Sequence, residues 1–139
     1  MERVEAESLV VDTDVLVANL RGKDAVLRDL ADKALSTTVV NAFELFHGAY
    51  RSRESVANLS STRGLLSTLG LLDLDAASAE RAGQVLSQLQ KSGETIEVRD
   101  LLVGCIAREN DRPLLTFNVK HFQRIPGLRV VDAKGLSGT

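Results

Sequence analysis

Asp12 and Asp14 follow Leu9-Val10-Val11, an apolar run rich in β-branched side chains. Such a run reads as a buried strand of a parallel sheet, and it puts Asp12 where the strand ends, the edge at which open α/β sheets bind their ligands. A carboxylate there costs on the order of several kcal/mol of desolvation unless it is paired, hydrogen-bonded or metal-bound. Two other acids hold corresponding places: Glu44 in the first turn of the helix after the second expected strand, and Asp100 at the start of a nearly all-apolar helix before the fourth. Strand ends and the N-termini of the helices that follow share one edge of a parallel sheet, so the three acids are expected to converge. Carboxylates grouped in this way cannot all stay ionised without a cation, and an all-oxygen donor set suits Mg²⁺ or Mn²⁺ rather than zinc. The chemistry this implies is metal-assisted attack on a phosphodiester.

Two of these acids also have plainer roles open to them. Glu44 stands three residues after Asn41, the capping-box position, and Asp100 is a good N-cap by residue type. Neither a cap nor a solvated face suits Asp12. Asp14 is expected to support the local turn and to hydrogen-bond the surroundings of Asp12 rather than bind metal.

The elements that must carry these residues alternate along the chain. After the first strand, Asp24 can cap a helix through Val26, Leu27, Leu30 and Leu35, and Thr37-Thr38-Val39-Val40 reads as a second strand. Asn41 is expected to cap a helix through Phe43, Leu45, Phe46 and Tyr50, and a further helix spans Glu54 to Leu69, closed by Gly70. Leu71 to Leu74 is a short third strand, and Asp75 caps a helix through Ala79, Ala82, Val85, Leu86 and Leu89 that stops near Gly93. Pro113 to Thr116 and Leu128 to Val131 are the fourth and fifth strands, separated by a polar loop from Asn118 to Arg124 and the Pro126-Gly127 turn. This alternation predicts an α/β fold with a parallel sheet of about five strands. The tail from Lys134 is expected to be frayed.

With 139 residues the chain is about one domain, 1–139, with no internal repeat or low-complexity linker. Its 44% hydrophobic and 26% charged residues are ordinary for a globular protein, and 4% aromatics without Trp leave the core to aliphatic side chains. The single cysteine, Cys105, excludes an internal disulfide and a multi-cysteine zinc site, and its apolar setting predicts burial. No run approaches the roughly 18 apolar residues of a membrane span, and Glu2, Glu5 and Glu7 do not suit a signal peptide. The expectation is a soluble, cytoplasmic protein with no membrane association. A net charge of −2 gives no global attraction to nucleic acid, so phosphate binding must come from local basic patches or metal ions.

Four segments, in order and at characteristic separations, resemble the successive motifs of the PIN-domain ribonucleases, specifically the VapC-type toxins. They are Asp12-Thr13-Asp14-Val15-Leu16, Asn41 to Gly48, Gly93 to Val103, and Leu115-Thr116-Phe117-Asn118-Val119-Lys120-His121-Phe122. The resemblance runs from about residue 8 to about residue 132. It implies a three-layer α/β/α fold and an acidic pocket that binds Mg²⁺ or Mn²⁺. It further implies RNA cleavage leaving a 5′-phosphate and a 3′-hydroxyl, a VapB-type antitoxin that blocks the pocket, and a homodimer. Carried over by position, Asp12, Glu44 and Asp100 match the metal-binding acids of the family, and Thr13 and Thr116 match hydroxyls beside them.

The chain departs from the family at the fourth acid. Many relatives have an aspartate at the position of Asn118 or of His121, so the expectation is one metal, with Asn118 holding a bound water through its amide and a second metal arriving only with substrate. Arg51, Arg53, Arg99 and Lys120 are candidates for positioning RNA, and His121 for a phosphate contact. Exposed apolar residues such as Phe46 and Tyr50 could serve a dimer, although core packing explains them as readily. A receiver domain would need an acceptor aspartate after a third strand much earlier than Leu71, and Leu16 stands where an Asp-x-Asp-x-Thr phosphatase needs threonine. The remaining rival is a PIN-like module that binds RNA or protein without cleaving.

Overall fold

The computed structural model describes residues 8–22, 26–30 and 33–137. The chain runs β1 (Ser8–Val11), α1 (Thr13–Leu20), α2 (Val26–Asp29), β2 (Ala34–Thr38), α3 (Val39–Arg51), α4 (Ser55–Leu66), β3 (Gly70–Leu72), α5 (Ala76–Lys91), α6 (Val98–Glu109), β4 (Leu114–Thr116), α7 (Val119–Phe122), β5 (Val130–Asp132) and α8 (Lys134–Ser137). All strand pairs are parallel, in the order β3-β2-β1-β4-β5.

β1 lies at the centre of the sheet, and its alternation builds both outer layers. Val10 packs with Leu114 and Phe122 and with Ala82, Val85 and Leu89 of α5 and Leu101, Val103 and Cys105 of α6. Leu9 and Val11 point to the opposite face, where Val15 and Leu16 of α1, Leu30, Leu45 of α3 and Leu115 close the second core. The result is the expected three-layer α/β/α sandwich around a five-stranded parallel sheet. On the first face, Gly104 lets α6 approach the turn after α7, because a Cβ there would overlap Ile125 Cδ1. Cys105 is fully buried, and burial pushes its thiol up to about 11, so it fills space and does not react.

Several boundaries differ from those the sequence suggests, each for a local reason. Val39 and Val40 belong to α3, not to β2, because Thr38 rather than Asn41 is the N-cap: its hydroxyl accepts from Val40 N and Asn41 N, both at 3.1 Å. Gly70 opens β3 instead of closing the preceding helix, and β3 ends at Leu72. Ala79 is exposed, and Ser78 takes the inward place on α5. The polar segment after Asn118 contains a helical turn, α7, anchored by the buried Phe122, and the tail contains another, α8. The expected Asp24 cap lies outside the described residues.

Candidate functional site

Strand β1 has β2 on one side and β4 on the other, so the chain reverses its direction of travel through the sheet between β1 and β4. The crevice past the carboxyl ends of these two strands is where such sheets bind ligands. Asp12 caps the end of β1, its backbone N–H donating to Leu115 O at 2.9 Å, and Thr116 ends β4 beside it.

Asp12 is 7% exposed, and both its carboxyl oxygens are engaged. Asn41 Nδ2 donates to Oδ1 at 3.1 Å, and Thr116 Oγ1 donates to Oδ2 at 2.8 Å. These bonds do not offset the loss of water. Desolvation, followed by the repulsion of Asp14 and then of Asp100, pushes the Asp12 carboxyl up to about 7. Asp14 is raised as well, chiefly by burial. Its Oδ2 accepts from Phe117 N at 3.2 Å, reaching across to the end of β4 beside Asp12, and its buried Oδ1 has no partner among the described residues. The single Thr116 proton serves Asp12, leaving its 3.4 Å approach to Asp14 Oδ2 as a secondary contact, while its oxygen accepts from Asn118 N at 2.9 Å.

A second chain of hydrogen bonds joins Asp12 to Glu44. Asn41 Nδ2 also donates to Thr13 Oγ1 at 2.8 Å, and that hydroxyl in turn donates a hydrogen bond to Glu44 Oε1 at 2.6 Å. Glu44 is the sixth residue of α3 rather than a first-turn or capping-box residue, because the helix begins earlier than the sequence suggests. Its Oε2 meets Arg99 Nη1 at 3.0 Å. Asp100 is the third residue of α6, whose N-cap is Glu97, so it lies in the first turn, where the helix dipole favours a carboxylate, without being the cap. His121 Nδ1 stands 3.2 Å from Asp100 Oδ2.

The sheet edge thus gathers Asp12, Asp14 and Asp100 within electrostatic reach of one another, with Glu44 linked to Asp12 through Asn41 and Thr13. Among the described residues no three His, Cys, Asp or Glu side chains are set to hold a metal together. Glu44 and Asp100 are each turned onto a neighbour from this chain, Arg99 and His121. Asn118 is exposed, and its contact with the cluster is the backbone N–H to Thr116. Arg51 lies at the end of α3 in the groove that also contains Glu44, Arg53 is exposed in the turn after it, and Lys120 is exposed on α7. Asn41, fully buried and bonded to both Asp12 and Thr13, was not singled out from the sequence as a site residue. Its type and place suit a helix cap, and only the fold shows where its amide points.

The PIN domain family matches residues 9–128. The tRNA(fMet)-specific endonuclease VapC of Shigella flexneri is 29% identical over 126 residues, covering 88% of this chain and 96% of that protein. Ribonuclease VapC10 of Mycobacterium tuberculosis is 30% identical over 125 residues, covering 87% and 90%. The crystal structure of DNA-bound VapBC from Salmonella typhimurium superposes with a TM-score of 0.86 at 26% identity, over 91% of this chain and 98% of that one.

Proposed function

The chain belongs to the PIN-domain family, with VapC toxins of VapBC toxin–antitoxin systems as close relatives in fold and sequence, and on that premise we propose that it is a Mg²⁺- or Mn²⁺-dependent endoribonuclease toxin. The observation that carries this reading is Asp12, buried at the switch point of the sheet, its carboxyl pushed up to about 7 by desolvation and by the repulsion of Asp14. The donor chemistry fits a hard divalent cation: oxygen ligands only, one buried Asp14 oxygen unpartnered, and carboxylates that repel one another.

Asp12, Asp100 and Glu44 are the residues that would hold the cation. When bound, it supplies Lewis acidity, making a water molecule more acidic and offsetting charge on the phosphoryl oxygens. The remaining work belongs to the chain. Thr116 and Asn41 fix the plane of the Asp12 carboxylate, and Thr13 fixes Glu44, so that neither must reorganise when substrate arrives. Arg99 pairs with Glu44 and His121 contacts Asp100 in the free protein, and both side chains are released toward substrate phosphate when the acids are otherwise engaged. Arg51, Arg53 and Lys120 lend positive charge to the approach of RNA.

A VapB-type antitoxin is the proposed protein partner, in keeping with a relative solved as a VapBC complex, and a homodimer is the proposed assembly. Among the described residues no helix is long and apolar enough to cross a membrane. The test is RNA cleavage by the purified chain with Mg²⁺ or Mn²⁺, after chelation, and with Asp12→Asn. Cleavage that needs metal and Asp12 is expected. Cleavage that survives chelation or Asp12→Asn would remove this reading, and RNA binding without cleavage would favour the non-catalytic module.

A further inference from the structure

Beside the acid cluster lies a hollow of about 390 Å³ whose lining includes Asn118, Lys120, His121, Arg124, Asp132 and Lys134. It adjoins the site at two points: His121 contacts Asp100, and the backbone of Asn118 contacts Thr116, which holds Asp12. In a chain of net charge −2, it concentrates three cations that always carry charge near neutral pH against one carboxylate. That carboxylate, Asp132, offsets only part of this charge, and its Oδ1 accepts from the backbone N–H of Lys134 at 2.9 Å rather than from a lysine or arginine side chain. Among the described residues no carboxylate forms an ion pair with Lys120, Arg124 or Lys134. Arg124 is tethered through Nη1 to the carbonyl of Thr95, which orients its guanidinium and leaves its charge unpaired. The larger hollow along α5 differs in this respect, because its Arg81 is paired with Glu109 at 3.0 Å.

We propose that the hollow at the ends of β4 and β5 is a phosphate subsite for the RNA backbone, seating a phosphate that flanks the scissile one on the Asp100 side. The proposal rests on the ribonuclease reading above and adds where the strand lies. A cluster of acids repels a polyanion, so the strand must be held by cations outside it, and this hollow offers them, with Lys120 next in the chain to His121, whose ring contacts Asp100. On the Glu44 side, the groove between α1, α3 and α4 carries Arg21 and Arg51, so positive charge stands on both flanks of the acids.

The test is equilibrium binding of a fluorescent single-stranded RNA oligonucleotide to the full chain carrying Asp12→Asn, across a series of KCl concentrations. Adding Lys120→Gln and Lys134→Gln together should weaken binding and lower the slope of log K against log salt by about 1.4, near 0.7 for each phosphate no longer neutralised. Lys91→Gln, on the exposed end of α5, should leave the slope unchanged. An unchanged slope in the double variant, in a protein that still binds and whose native form cleaves RNA, overturns the subsite alone. So does an unchanged slope combined with weaker capture of an acidic protein partner. If the native chain neither binds nor cleaves RNA, the ribonuclease reading falls and the subsite falls with it.

Discussion

Asn41 Nδ2 lies 3.1 Å from Asp12 Oδ1, a bond between the third residue of one helix and the end of the central strand, buried on both sides. The same amide uses its second hydrogen on Thr13, and its oxygen accepts from Thr38 Oγ1 at 2.8 Å and Thr38 N at 3.3 Å. One side chain thereby completes the α3 capping box and sets two site residues. Asn41→Ala leaves Asp12, Thr13 and Thr38 short of partners and opens a void. It should cost about 2 to 3 kcal/mol in urea unfolding and lower kcat for RNA cleavage at least tenfold.

The Asp12 carboxyl gives the metal-free protein a pH dependence of definite sign. Its group titrates near 3.8 when unfolded and at about 7 when folded, so between those values the folded chain holds a proton that the unfolded chain releases. The contribution of this group to stability is therefore greatest below about pH 4, falls as pH rises through the window, and levels off above about 7, a loss on the order of 4 kcal/mol. Asp14 acts in the same direction. Thermal melts in chelator from pH 4 to 8 should show the decline, and Asp12→Asn should flatten most of it while abolishing cleavage. A native protein that gains stability with pH over that range would contradict this account.

Arg99 is half exposed, so its 3.0 Å pair with Glu44 contributes little to the fold. Arg99→Ala should lower stability by no more than about 1 kcal/mol. Since a divalent ion must otherwise displace the guanidinium from Glu44, the same change should tighten Mn²⁺ binding by about threefold to tenfold in a calorimetric titration.

Gly104→Ala tests the packing that brings α6, and with it Asp100, against the α7 turn. The added methyl overlaps Ile125 Cδ1 in the first core and comes to 3.2 Å from Cδ2 of Leu128, which packs against that core. Denaturant unfolding should show a loss of about 1 to 3 kcal/mol.

The parts of this architecture legible in the sequence are those fixed by strong local patterns. The apolar run before Asp12, the Asp75 cap and the buried face of α6 each announce themselves, and Asp75 indeed accepts from Ser78 N at 2.9 Å. Val39-Val40 misleads because β-branched residues favour strands, yet the Thr38 hydroxyl begins a helix beneath them, and that shift moves Glu44 out of the first turn. Asn41 has the residue type of a cap, and no local pattern tells an amide facing its own helix from one reaching a strand 29 residues earlier. The ion pair of Arg99 with Glu44 spans 55 residues and the contact of His121 with Asp100 spans 21, distances at which charge patterning along the chain is silent.

The placing of β1 has a consequence for how the molecule comes apart. Val10 and Val11 are sealed into opposite cores, and the next amide, that of Asp12, is locked to Leu115. No fraying end or peripheral helix can bare this edge, because exposing it means parting both hydrophobic layers at once. Amide protons here should therefore trade with solvent only when the whole domain opens, so the edge that carries the acids is also the last to part.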